Sequence, residues 1–170
     1  KRLGWLAVYM GAIVAANWMT ATYGLVPIGF GLKVTAGTFA AGAVLLVRDR
    51  LQIVANRWWV LGAILGGALL SAVTSTPAIA VASGVAFIVS EMVDWAVFTP
   101  LRGRSLPLAV VVSSVVAAPV DTVLFLYLAG FGVTWQAVLG QFLVKTAMAL
   151  ATAALIVAWE RRRRVLPVGV

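Results

Sequence analysis

The folds open to this chain are limited most by six long apolar stretches: Trp5–Tyr23, Leu25–Val47, Trp59–Ser75, Ala78–Leu101, Leu106–Phe131 and Trp135–Trp159. A helix needs about 20 apolar residues, at 1.5 Å rise each, to cross roughly 30 Å of hydrocarbon. Each stretch approaches that length, and none shows the alternation of a barrel strand, so membrane-spanning helices are expected. The third stretch ends indistinctly, in Ser71-Ala-Val-Thr-Ser-Thr76 before Pro77. Composition agrees, with 63% hydrophobic and 11% charged residues among 170. Soluble domains hold about 45–50% and about 25%. One core at this length cannot hide so much apolar surface, and the surplus must face lipid. The expected fold class is all-α integral membrane: a six-transmembrane-helix bundle forming a single domain over residues 1–170.

The connections divide by charge. Lys1 and Arg2, then Arg48, Arg50 and Arg57, then Arg102 and Arg104, then Arg161 to Arg164 all fall on one side. The opposite connections, around Gly24 to Pro27, Thr76-Pro77 and Gly132 to Thr134, carry no charge. Basic flanks mark the cytoplasmic side, which puts both termini inside. Trp5, Trp58, Trp59, Trp135 and Trp159 sit at stretch ends, where interfacial aromatics anchor a helix. The first stretch is too long for a cleaved signal peptide and, with Asn17 and Thr20, too polar. A net charge of +8 invites a nucleic-acid reading. The basic residues lie between apolar runs, however, so lipid rather than nucleic acid is the expected partner, with Arg161 to Arg164 an anchor near anionic headgroups. The sequence has no Cys and no His. That excludes disulfides, thiol catalysis, His-based metal sites and Ser–His machinery. No cofactor is implied, and the loops leave no room for a soluble catalytic domain, so the chain does not read as an enzyme.

Five ionisable residues fall well inside the stretches: Lys33, Glu91, Asp94, Asp121 and Lys145. Each costs about 2.5–3.5 kcal/mol at mid-span, and together roughly 15 kcal/mol, as much as a typical fold is stable. They must therefore face inward, pair, or line a wet cavity. Helical spacing supports the inward placement. Ser83, Phe87, Glu91, Asp94 and Phe98 form one stripe in the fourth stretch. Ser114, Asp121, Phe125 and Leu128 share a face in the fifth. Gln141, Lys145 and Thr152 do so in the sixth, and Tyr9, Asn17 and Thr20 in the first. Counted from the uncharged ends, the depths describe a pocket in the outer half with carboxylates at its floor. Lysines serving only as interhelical glue would recover about 0.6 kcal/mol per contact, well below the insertion cost. Three acids against two lysines also leave a surplus carboxylate. Such an acid must be protonated, or face water or a cationic ligand. Trp95, Phe87, Phe98 and Phe125 offer flat faces for stacking, or plain packing, and Trp18 lies beside polar residues away from the rims.

Small residues at Gly37, Ala41, Gly42, Gly62, Gly66, Gly67 and Ala68 allow close helix packing, and Ala12 with Ala16 offers a docking surface. Gly140 to Thr146 lacks the second glycine of a phosphate-binding loop. Asp94 and Asp121 on adjacent helices invite comparison with an aspartyl protease dyad, but Ala118-Pro119-Val120 stands where such proteases are Gly-rich. Asp94-x-x-x-Phe98-x-x-Leu101 echoes Asp121-x-x-x-Phe125-x-x-Leu128, as an inverted repeat of a transporter would.

Three segments together resemble the VUT family of queuosine-precursor transporters: Ala36 to Gly42 with Arg48-Asp49 and Gln52; Ser90-Glu91-x-x-Asp94-x-x-x-Phe98-x-Pro100-Leu101-Arg102; and Ser113-Ser114 through Asp121-x-x-x-Phe125-Leu126-x-Leu128-Ala129. The resemblance covers nearly the whole chain. It implies uptake of 7-cyano- and 7-aminomethyl-7-deazaguanine across the bacterial inner membrane, and kinship in fold with the six-helix substrate-binding components of vitamin importers. The sequence departs from the family pattern at Ser114, Ala117, Pro119 and Thr122.

Such a ligand suits the interior residues. A guanine-like edge offers two neighbouring N–H donors, which one carboxylate, Glu91 or Asp121, can accept. Asn17, Gln141 or Lys145 would donate to the ring carbonyl, and Asp94 would meet an aminomethyl cation. The expected substrate-binding set is Glu91, Asp94, Asp121, Lys145, Asn17, Gln141, Lys33, Trp95 and Phe98. No nucleotide-binding motif is present, so ATP would have to be used by partner subunits; otherwise an ion gradient or facilitated diffusion drives uptake. A bundle this small is also suited to pair as a homodimer. Alternative readings are a vitamin-binding component of a multisubunit importer, an intramembrane aspartyl enzyme and an accessory membrane subunit.

Overall fold

The computed structural model describes residues 2–41 and 57–165. Its elements, in chain order, are α1 (Arg2–Tyr23), β1 (Leu25–Gly29), β2 (Leu32–Thr35), α2 (Arg57–Thr74), α3 (Pro77–Leu101), α4 (Leu106–Leu128) and α5 (Trp135–Val165). A further helical segment occupies residues 38–41, beyond which the second expected span, with Arg48, Arg50 and Gln52, lies outside the described residues. Among the described residues four helices are long and apolar enough to cross a membrane, and Trp58–Thr74 is a shorter apolar helix.

The helix boundaries follow local chemistry. Thr76 caps α3 by accepting from the Ile79 amide, and Ser105 caps α4 by accepting from the Leu108 amide. Pro77 and Pro107 stand in the first turns, where a missing N–H costs nothing. Helix α4 ends at Leu128 rather than Phe131, because Gly130 and Gly132 both take positive φ. Helix α5 runs past Trp159 to Val165.

Residues 25–35 do not begin a helix, which corrects the expected span Leu25–Val47. They form an antiparallel hairpin pairing Leu25 with Thr35, Val26 with Val34 and Pro27 with Lys33, with an irregularity between Pro27 and Gly29. The cause is local. Phe30 and Gly31 form a two-residue turn with φ of 53° and 73°, the positive values that tight hairpin turns require. Pro27 and the β-branched Val26, Ile28 and Val34 also disfavour helix.

Helices α1, α2, α3, α4 and α5 pack in sequence order, and α5 also packs on β2. Tyr9 and Ile13 of α1 join Val60, Ala63 and Ile64 of α2 in one core cluster; Ile79, Ala82 and Ala86 of α3 join Phe125 of α4 in another. Leu3, Leu69, Val73, Val81 and Leu155 are exposed on the outside, as a lipid-facing surface requires.

Two glycines seat the hairpin. A Cβ on Gly140 would collide with the Lys33 carbonyl oxygen, and one on Gly37 with the Ala16 carbonyl oxygen. Ala16 is therefore covered within the chain rather than presented for docking. The Gly37 amide also donates to Thr20 Oγ1 at 3.1 Å. Both neighbours are backbone and cannot swing aside, so Gly37→Ala and Gly140→Ala are each expected to destabilise the protein by about 1–3 kcal/mol. Gly62→Ala, which meets nothing within 4 Å, should be neutral or stabilising. Thermal unfolding in detergent micelles measures the contrast.

Candidate substrate site

The stripes on α1, α3, α4 and α5 converge on one interior. Asn17, Glu91, Asp94, Asp121, Gln141 and Lys145 are all buried, each at most 9% exposed, inside a bundle whose outer face is apolar. Lys145 and Asp121 form its central contact. Lys145 Nζ lies 2.5 Å from Asp121 Oδ2 and donates to Thr122 Oγ1 at 2.9 Å. The single O–H of Ser90 has two acceptors in reach, the Phe87 carbonyl at 3.2 Å and Asp121 Oδ1 at 3.4 Å. Asp121 thus meets side chains of both neighbouring helices at one level.

Two chambers adjoin this pair. The first holds about 610 Å³ of space free of protein atoms, counting its open mouth. Glu91, Asp94, Ser90 and Phe87 of α3 line it, with Ser114 of α4 and Tyr9 of α1. The second holds about 340 Å³ on the same measure and is walled by Asn17, Thr20, Thr35, Thr38, Ser83 and Gln141. Phe87, Asp121 and Lys145 line both, as does Ala41. Phe87 presents a flat apolar face to each chamber. Among the described residues no cluster of His, Cys, Asp and Glu could hold a metal ion.

The placement divides the sequence-predicted residues. Glu91, Asp94, Asp121 and Lys145 line the first chamber, and Asn17, Gln141, Asp121 and Lys145 the second. Lys33 is not among them. It is exposed on β2, because the hairpin directs Val34 and Thr35, not Lys33, inward. Lys33 therefore neutralises neither acid, and interhelical ion pairing is realised by Lys145 and Asp121. Trp95 and Phe98 are half-buried on α3 and line neither chamber. Trp18 is exposed, edge-on to Tyr23. The sequence-predicted set omits Ser90, which lies one position before Glu91, and Phe87, although its place in the Ser83–Glu91 stripe marks it. It also omits Thr35 and Thr38, which reach the second chamber only because the hairpin and turn replace a helix there.

The ion pair makes a sharp energetic prediction. Lys145→Met leaves a buried carboxylate without its cation and should destabilise the protein by about 3–5 kcal/mol. Lys145→Met combined with Asp121→Asn should recover most of that loss. A double-mutant cycle in chemical unfolding reads the coupling.

Over residues 6–159 the chain matches the model of a protein family described as "Putative vitamin uptake transporter". No curated protein matches the chain, and no solved structure does.

Proposed function

The chain belongs to this family of vitamin uptake transporters, and on that premise we propose that it imports 7-deazaguanine precursors of queuosine, the 7-cyano and 7-aminomethyl bases, across the bacterial cytoplasmic membrane. The observation that carries the reading is the first chamber. Glu91 and Asp94, 4% and 2% exposed, line one cavity inside an apolar bundle, beside the Lys145–Asp121 pair. Carboxylates at such depth are costly to insert, and in membrane proteins they mark substrate or proton pathways.

Glu91, buried in the wall of the first chamber, is the carboxylate assigned to the paired N–H donors of the guanine-like edge, while Asp121 is held by Lys145. Asp94 meets the aminomethyl cation, and Phe87 supplies a face for stacking, worth roughly 1–3 kcal/mol per base in nucleic-acid complexes. In this reading the chain spans the membrane six times with both termini in the cytoplasm, and the hairpin faces outward.

Purified wild-type protein should bind 7-cyano-7-deazaguanine saturably. Glu91→Gln, which exchanges an acceptor pair for a mixed one, should weaken that binding about tenfold to a hundredfold, equivalent to about 1.5–3 kcal/mol for a charged hydrogen bond. Equal binding by both proteins would make Glu91 structural, and saturable binding of riboflavin or biotin instead would identify a vitamin as the guest. The orientation has its own test, made clean by a sequence without cysteine. Phe30→Cys, at the fully exposed hairpin tip, should react with an impermeant maleimide on intact cells. Arg163→Cys should react only after lysis.

A further inference from the structure

The second chamber is built differently from the first. Its wall carries two carboxamides on different helices, Asn17 of α1 and Gln141 of α5, 3% and 1% exposed. Neither Asn17 Nδ2 nor Gln141 Nε2 has a hydrogen-bond partner among the described residues. An amide nitrogen buried without a partner forfeits its hydration, a cost a purely structural side chain is not retained to bear. Of the hydroxyls around them, Thr20 accepts from the Gly37 amide, and Thr35 and Thr38 share a hydrogen bond of 2.9 Å. The two amides thus add N–H donors to the hydroxyls of this chamber, and Phe87 and Phe125 bring aromatic rings to it.

A carboxamide nitrogen carries two N–H donors, which suit the ring carbonyl oxygen of a flat heterocycle. Carboxylates, as in the first chamber, accept only. We infer that the second chamber is a separate recognition subsite, in which the Asn17 and Gln141 amides donate to the ring carbonyl of a planar guest whose N–H donor edge lies in the acid chamber. Phe87, Asp121 and Lys145, common to both chambers, form the seam the guest lies across. The inference rests on the functional reading above and adds the orientation of the ligand and the residues that set its specificity.

The test uses 7-deazaguanine and its O6-methyl ether, in which the carbonyl acceptor is replaced by an ether, and the Asn17 and Gln141 variants separate this change from the loss of the ring N–H. Wild-type protein should bind the parent at least about tenfold more tightly than the ether. Gln141→Leu and Asn17→Leu should lose about that factor for the parent and leave the ether's affinity unchanged. Neither substitution removes a hydrogen bond from the nitrogen it deletes, so the ligand-free variants should melt at the wild-type temperature or a few degrees above it. A melting temperature below wild type would show the amides holding the fold and would overturn the subsite. Equal losses for parent and ether would overturn it too, while leaving the transport reading intact. Wild-type protein that binds neither compound would overturn both.

Discussion

A charge inside hydrocarbon has no water to fall back on, and the contact between Lys145 and Asp121 is this molecule's answer to that constraint. The lysine comes from α5 and the aspartate from α4, while Ser90 reaches the aspartate from α3. The pair therefore fixes three helices at a common level. Apolar packing alone would let them slide, since lipid tails compete equally for an apolar side chain. The pair also prevents the bundle from closing completely. Its neighbours must be polar or small, and Ser90, Ser114, Ala117 and Ala118 leave space on one side as Thr20, Ser83 and Gln141 do on the other. The chambers follow from satisfying the charges.

How far the sequence could be read depended on which physical signal carried each element. Glu91, Asp94, Asp121 and Lys145 were legible because their positions repeat at helical spacing inside long apolar runs, and such residues have no low-cost place except the interior. The hairpin was not. Hydropathy counts apolar side chains without regard to backbone, and Leu25 to Thr35 is apolar enough to pass for the start of a span. The signal against it was present in Pro27 and in Gly29-Phe30-Gly31, whose positive φ values no helix accommodates. Misplacing that segment carried Lys33 into the expected site with it. Trp95 and Phe98 line neither chamber for a subtler reason: aromatic type says nothing of angular position. Phe87 lies one helical turn before Glu91 and reaches both chambers. Trp95 follows Asp94 directly and is turned about 100° away from it around the helix.

The two chambers divide the polar chemistry by element. Helix α3 supplies acids and the flat face of Phe87, α1 and α5 supply amides, and α4 and α5 supply the ion pair between them. A guest with a donor edge, an acceptor edge and a planar body has a counterpart for each. This asymmetry favours a small heterocycle over a simple cation, for which the carboxylates alone would suffice. It also separates the site from an aspartyl dyad, since Asp121 is engaged by Lys145 and Ser90 rather than shared with Asp94.

The strongest structural argument that this interior is functional lies in where local rules are broken. Elsewhere most local rules hold: Thr76 and Ser105 cap their helices and apolar side chains cover the outside, with Pro100 inside α3 and the positive φ of Phe30 among the exceptions. Around the chambers several departures coincide. Acids and a lysine sit at depth, two amide nitrogens have no partner among the described residues, and Pro119 stands within α4 two residues before Asp121. Pro119 withholds the amide to which the Val115 carbonyl would otherwise bond, weakening the ladder at the level of the ion pair. Each departure costs stability, and a fold selected for stability alone would scatter or remove them. Their gathering in and beside the walls of the two chambers is the pattern expected where binding a guest, rather than packing, decides which residues stay.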